Sequence, residues 1–159
     1  EKNKFSKKVN VVFETDLELM FPNNYINSST ERLKLYTQLN KICELDELNL
    51  FKLELIDRFG TLPNVVVELL NSLELRWLAG ALGFDKIVLK KNILISYMMN
   101  FDSDEQKKKI DKLFDYSKLN PNSISFSQKK LADGDRFIVK IKNIDSVSKA
   151  IKVLEDINT

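Results

Sequence analysis

The spacing of hydrophobic and polar positions changes along the chain, and each change marks an element. From Val9 to Met20 the residues alternate in part, Val9, Val11 and Phe13 against Asn10, Val12 and Glu14, which predicts a strand that Phe21-Pro22-Asn23-Asn24 breaks. Ser28-Ser29-Thr30-Glu31 has the form of a capping box, in which the Ser28 hydroxyl and the Glu31 carboxylate satisfy free amides reciprocally. The helix that follows carries Leu35, Tyr36, Leu39, Ile42 and Cys43 along one face. A second helix is predicted from Asp46 to Phe59, stopped by Gly60, whose lack of a Cβ suits it to a C-terminal cap. Pro63 opens a third helical region at a first-turn position, and Val66, Leu69, Leu70, Leu73, Trp77, Ala81 and Leu82 keep helical spacing until Gly83, as one helix or two in series. Lys86–Leu89 and Ile93–Tyr97 then read as strands joined around Lys90-Lys91-Asn92. Asp104–Tyr116 returns to helix with Ile110, Leu113 and Phe114 inward. Ser123–Phe126 and Arg136–Ile141 predict another strand pair turning at Asp133-Gly134-Asp135. A last helix, Asp145–Ile157, buries Val147, Ala150, Ile151 and Leu154.

Strands come in local pairs and helices in a block, so the fold class is α+β. The expectation is a helical block of three or four helices packed with short antiparallel strand pairs, one compact domain over residues 9–159. Residues 1–8 are read as a linker or frayed end. There is no internal repeat and no low-complexity tract.

Composition narrows the function classes. The 159 residues are 43% hydrophobic and 30% charged, which suits a globular domain with an ample core. A net charge of +2 selects no particular partner. No apolar run approaches the roughly 18 residues that cross a bilayer, so no membrane partner and a cytoplasmic location are expected. The chain does not start with Met, which suggests a segment of a longer protein.

Histidine is absent, which removes the commonest general base. The single Cys43 falls on an apolar helix face, where a buried structural thiol is expected rather than a nucleophile. Four scattered glycines build neither phosphate-binding loop. Asp102 with Asp104 and Asp133 with Asp135 read as caps and hairpins, lacking the ligand count of a calcium loop. No metal site, no cofactor and no catalytic residue are therefore expected in this chain, and an unrecognised hydrolase would need a cleft of convergent carboxylates. Lys107-Lys108-Lys109, Lys90-Lys91 and Lys129-Lys130 could touch DNA, although consecutive lysines on a helix point around the cylinder instead of forming one stripe.

The second helix separates two readings. Stepping about 100° per residue, Leu48, Phe51, Leu55, Ile56 and Phe59 share a core face, while Leu50, Leu53, Glu54 and Asp57 fall together opposite. Arg58 lies between, within i,i+4 reach of Glu54. Either another helix of this domain covers Leu50 and Leu53, or the face docks a partner, with apolar anchors beside charges that set register.

The run Glu54-Leu55-Ile56-Asp57-Arg58-Phe59-Gly60, then Leu62-Pro63, resembles the signature of the C-terminal domain of bacterial transcription-repair coupling factors. Upstream, Leu17-Glu18-Leu19-Met20-Phe21-Pro22, Tyr25-Ile26 and Glu31-Arg32-Leu33-Lys34-Leu35-Tyr36 agree in order and spacing. Downstream, Leu69-Leu70, Leu75-Arg76, Ala79 and Leu82-Gly83-Phe84-Asp85-Lys86-Ile87 do so too. The resemblance covers residues 11–97 well and the remainder in element pattern. It implies a long ATP-driven DNA translocase that removes stalled RNA polymerase and recruits the excision-repair protein UvrA. ATP and Mg, RNA polymerase and DNA would be engaged through other domains. In such proteins this domain is a non-catalytic latch on the N-terminal UvrB-like module, hiding the UvrA-binding surface. Carried over by position, the contacting residues are Glu54, Asp57 and Arg58, flanked by Leu50 and Leu53, while Gly60 and Pro63 keep structural roles. A DNA-binding accessory module of the same translocase is the alternative.

Overall fold

Side-chain parity on the first strand holds as the alternation predicts: Val11 is buried, Val12 exposed, Phe13 partly buried and Glu14 exposed. In the computed structural model, which describes residues 10–159, this strand is β1, Val12–Thr15, shorter than the predicted stretch. It ends because Thr15 redirects the hydrogen bonding. Its hydroxyl donates to the Leu89 carbonyl at 2.7 Å and accepts from the Leu17 amide at 3.1 Å, turning the backbone away from the sheet. Val9 and the expected linker of residues 1–8 lie outside the described residues.

Helix α1 spans Ser29–Asn40, with the Ser28 hydroxyl accepting from the Glu31 amide at 3.2 Å. Its end corrects the reading of Cys43, which lies beyond the helix, half-buried, its thiol directed at the Lys41 carbonyl. Helix α2 runs Leu45–Phe59 and α3 Asn64–Ala81. Pro63 is the N-cap of α3 and not its first residue, with an extended ψ of 153°. The third region is one helix of 18 residues. It ends where Phe84 N–H bonds to Ala79 O and Gly83 N–H to Gly80 O, with Gly83 at φ +89°, a Schellman cap that only glycine adopts without strain.

β2 (Lys86–Lys90) and β3 (Ile93–Met98) form a hairpin whose two turn residues, Lys91 and Asn92, both have positive φ, the type I′ geometry that matches strand twist. Helix α4 covers Asp104–Leu119, β4 Ile124–Leu131, β5 Gly134–Lys142 and α5 Val147–Asn158. The two antiparallel pairs are not separate. β3 also pairs with β5, and β1 joins β2 in parallel, giving one five-stranded sheet of order β1-β2-β3-β5-β4.

Two cores result, and α3 belongs to both. Leu75, Leu78 and Ala79 in its second half pack with α4, α5 and one face of the sheet, among them Ile87, Leu94, Val139 and Leu154. Val66, Leu69 and Leu70 in its first half pack with Leu35 and Leu39 of α1 and Leu48, Phe51 and Leu55 of α2. The buried carboxylate of Glu68 on α3 fixes α5. It accepts from the Val147 amide at 2.5 Å, the Ser148 amide at 3.2 Å and the Ser148 hydroxyl at 2.5 Å, satisfying the open end of that helix. Phe114, expected inward, is 42% exposed, yet its ring meets Phe126 edge-on at 5.0 Å between centroids. Among the described residues no helix is long and apolar enough to cross a membrane.

Candidate interaction face on the second helix

Helix α2 forms because its apolar residues recur on one side and both ends are chemically marked. Asp46 and Glu47 lie in the first turn and Arg58 in the last, the arrangement that complements the helix dipole. Gly60 closes it, donating its amide to Ile56 O at 2.9 Å. Gly60 sits at φ +90° and ψ −165°, a region essentially closed to side chains, which lets the chain turn sharply toward Pro63. Tyr25 secures this corner. Its hydroxyl donates to Gly60 O at 2.9 Å and approaches Leu55 O at 3.3 Å, and its ring lies 5.8 Å from that of Phe59. Burial raises the Tyr25 pKa above the usual phenol value.

The inward residues are Leu48, Phe51 and Leu55, all buried. Ile56, expected with them, is 45% exposed: it falls on the shoulder of the helix, rotated about 80° from Leu48, beyond the reach of α1 and α3. Phe59 is half-buried beneath the Arg58 guanidinium, which lies 4.8 Å from its ring centroid. On the outward face Leu50 is 67% and Leu53 63% exposed, so among the described residues no helix covers them. With Ile56 they leave three large apolar side chains in solvent along one short helix.

The charges on this face fall into two sets. Arg58 pairs with Glu31 of α1 and, at 3.6 Å, with Glu54, and the hydrogen bond to Glu31 with the attraction of both carboxylates raises its pKa further. Glu54 also accepts from Gln38 Nε2 at 3.3 Å. These four side chains link α1 to α2. Asp57, by contrast, makes no ion pair or side-chain hydrogen bond among the described residues and is exposed between Leu50 and Leu53. Between α1 and α2 runs a shallow groove of about 290 Å³ lined by Gln38, Lys41, Ile42, Glu47, Leu50, Phe51 and Glu54.

Spacing placed Leu50, Leu53, Glu54 and Asp57 on one outward face with Arg58 between it and the core, and the structure has the four exposed there and Arg58 over the Phe59 ring at its edge. It missed Glu31, Gln38 and Tyr25. The spacing of Ser28 and Glu31 pointed to a capping box, whereas the Glu31 carboxylate reaches Arg58 across the helix pair. The lysine clusters lie on different elements, Lys107–Lys109 on α4, Lys90 and Lys91 at the β2–β3 hairpin and Lys129 and Lys130 on the edge strand β4. Asp133 accepts from Arg136 at 2.8 Å. Among the described residues no three His, Cys, Asp or Glu side chains group as metal ligands.

Comparison with known proteins follows the same region. The family model of the TRCF domain matches residues 15–113. The transcription-repair-coupling factor of Rickettsia typhi is 29% identical over 119 residues, 74% of this chain and 11% of that protein. That of Escherichia coli strain K12 is 36% identical over 78 residues, 46% of this chain and 7% of that protein. The chain thus spans about a tenth of the length of the curated relatives it matches. A crystal structure described as the C-terminal domain of transcription-repair coupling factor superposes with a TM-score of 0.64 at 14% identity, over 94% of this chain and 92% of that one.

Proposed function

The chain belongs to the TRCF domain family, the C-terminal domain of transcription-repair coupling factors, and from that membership we propose that it is a non-catalytic latch. In the whole protein, on this reading, an ATP-driven DNA translocase displaces stalled RNA polymerase in the bacterial cytoplasm, and ATP and magnesium belong to motor domains outside this chain. The latch holds the N-terminal UvrB-like module and masks its surface for UvrA until polymerase is engaged.

The observation that carries this reading is the outward face of α2, where uncovered Leu50 and Leu53 flank the unpaired carboxylate of Asp57. Three exposed apolar side chains around a charge suit a surface that is covered part of the time. The leucines supply burial, and the carboxylates select a basic partner and set its register. Glu54 and Arg58, already oriented from α1 by Gln38 and Glu31, need little ordering on contact.

The test is binding of the isolated UvrB-like module to this chain in trans. Glu54→Lys/Asp57→Lys weakens it about tenfold or more, because reversing a desolvated charge pair leaves the opposing charge unmatched. In the full-length protein the same change raises basal ATPase. Unchanged affinity would sink the latch reading.

A further inference from the structure

The strand register defines a second surface that shares no residue with the face on α2. Helices α3, α4 and α5 cover one side of the sheet. On the other side Ile93, Ile95 and Tyr97 line up along β3, with Val88 of β2 beside Ile95 and Ile138 of β5 beside Tyr97. None of these five packs into either helix-covered cluster, although Ile138 is itself buried, at 6% exposure, beneath its neighbours on this side. Val88, Ile93, Ile95 and Tyr97 are partly exposed. The flanks of this apolar stripe are basic. Lys86 and Lys90 lie on β2, Lys140 and Lys142 on β5, and Lys129 on β4; Glu14 on β1 sits 3.4 Å from Lys86 and 3.8 Å from Lys90, and the Asp16 carboxylate accepts from the Lys91 amide at 3.0 Å.

We propose that this sheet face docks an amphipathic helix of a partner protein, apolar along one stripe and acidic on both flanks. Three features select that occupant. The lysine rows on β2 and β5 are two strand spacings apart, roughly 10 Å, the width of one helix lying along β3. The accessible stripe is mainly aliphatic, Val88, Ile93 and Ile95 with Tyr97 alone aromatic, which favours leucine-type side chains over stacked bases. Positive charge on both sides complements acids at the edges of such a helix and repels a basic one. A helix there completes a three-layer arrangement in which both sides of the sheet are covered.

The test uses this chain and a synthetic helical peptide of about 18 residues, with leucines at helical spacing and glutamates on both flanks. Comparators are the same residues in scrambled order, a lysine-flanked version and oligothymidylate. Amide NMR shifts on addition of the glutamate-flanked peptide are expected at Ile93, Ile95, Tyr97 and Lys140. Lys140→Glu/Lys142→Glu, at exposed positions that leave the fold intact, weakens binding about fivefold. Ile95→Glu weakens it further, and Leu53→Asp on α2 leaves it unchanged, which separates this surface from the latch. Equal binding by the scrambled or lysine-flanked peptide, or no effect of the lysine reversals, overturns the proposal. So does oligothymidylate binding more tightly through the same residues with a steep salt dependence, the signature of a nucleic-acid surface.

Discussion

Arg58, in the last turn of α2, is held by the carboxylate of Glu31 in the first turn of α1, 27 residues earlier in the chain. The pair ties together the two helices that flank the outward face. It also separates the charges of the motif into a committed set, Glu54 and Arg58, and a free one, Asp57. Glu54 shares its charge with Arg58 and its hydrogen-bonding capacity with Gln38. Asp57→Asn is therefore expected to weaken trans binding of the UvrB-like module more than Glu54→Gln, by about tenfold against a few-fold. Titration calorimetry on the two single variants decides the order, and the reverse ranking contradicts the assignment.

Glycine at position 60 is required by backbone geometry alone. A Cβ built there meets nothing within 4 Å, so packing does not forbid a side chain. The φ of +90° with ψ of −165° does, and Gly60→Ala is expected to cost about 1–3 kcal/mol in urea unfolding. At Gly83 strain and crowding add. A Cβ would stand 2.2 Å from Gln106 Oε1, and moving Gln106 breaks its 3.1 Å hydrogen bonds to the carbonyls of Gly83 and Met99. Gly83→Ala is thus expected to destabilise more than Gly60→Ala.

Both glycines were legible because a helix end has a local chemical signature. The same is true of the inward positions Leu48, Phe51 and Leu55, which follow from spacing. What was not legible is long-range. The parallel pairing of β1 with β2 joins residues more than 70 apart, and β3 with β5 links two hairpins that each look complete. Ile56 was misplaced because angle alone cannot tell whether a neighbouring helix reaches the shoulder. Cys43 was misplaced because α1 stops at Asn40 without a glycine or proline to announce it. Of the outward face, spacing gave its members, whereas its connection to Glu31 required the helix pair itself.

Tyr25 gives the motif corner a pH signature. Its folded pKa is raised by burial, so the stability it contributes is fully present below the unfolded phenol value of about 10 and is lost as pH rises through the folded value. Tyr25→Phe is expected to lower stability by about 1 kcal/mol at neutral pH, through the lost hydrogen bond to Gly60 O. It should also shrink the alkaline decline above about pH 10 without abolishing it, since burial raises Tyr116 as well. Urea midpoints measured from neutral to strongly alkaline pH read both effects. An identical alkaline decline in the variant would remove Tyr25 from this role.

Glu68 connects the two cores, and its removal tests whether they unfold together. The carboxylate is buried on α3 and satisfies the amides of Val147 and Ser148 at the start of α5. Glu68→Ala leaves the buried Val147 amide without a partner and removes the part-buried bonds to Ser148, and the cost expected is about 2–3 kcal/mol. Glu68→Gln, which keeps one acceptor oxygen, should recover part of it. Because α3 also carries Val66, Leu69 and Leu70 into the α1–α2 core, loosening α5 should not detach the outward face of α2. Hydrogen exchange of Glu68→Ala should therefore quicken at Val147 and Ser148 and remain slow at Phe51 and Leu55. Equal acceleration at all four amides would mean that the domain opens as one unit, and that the latch face cannot be released while the sheet stays folded.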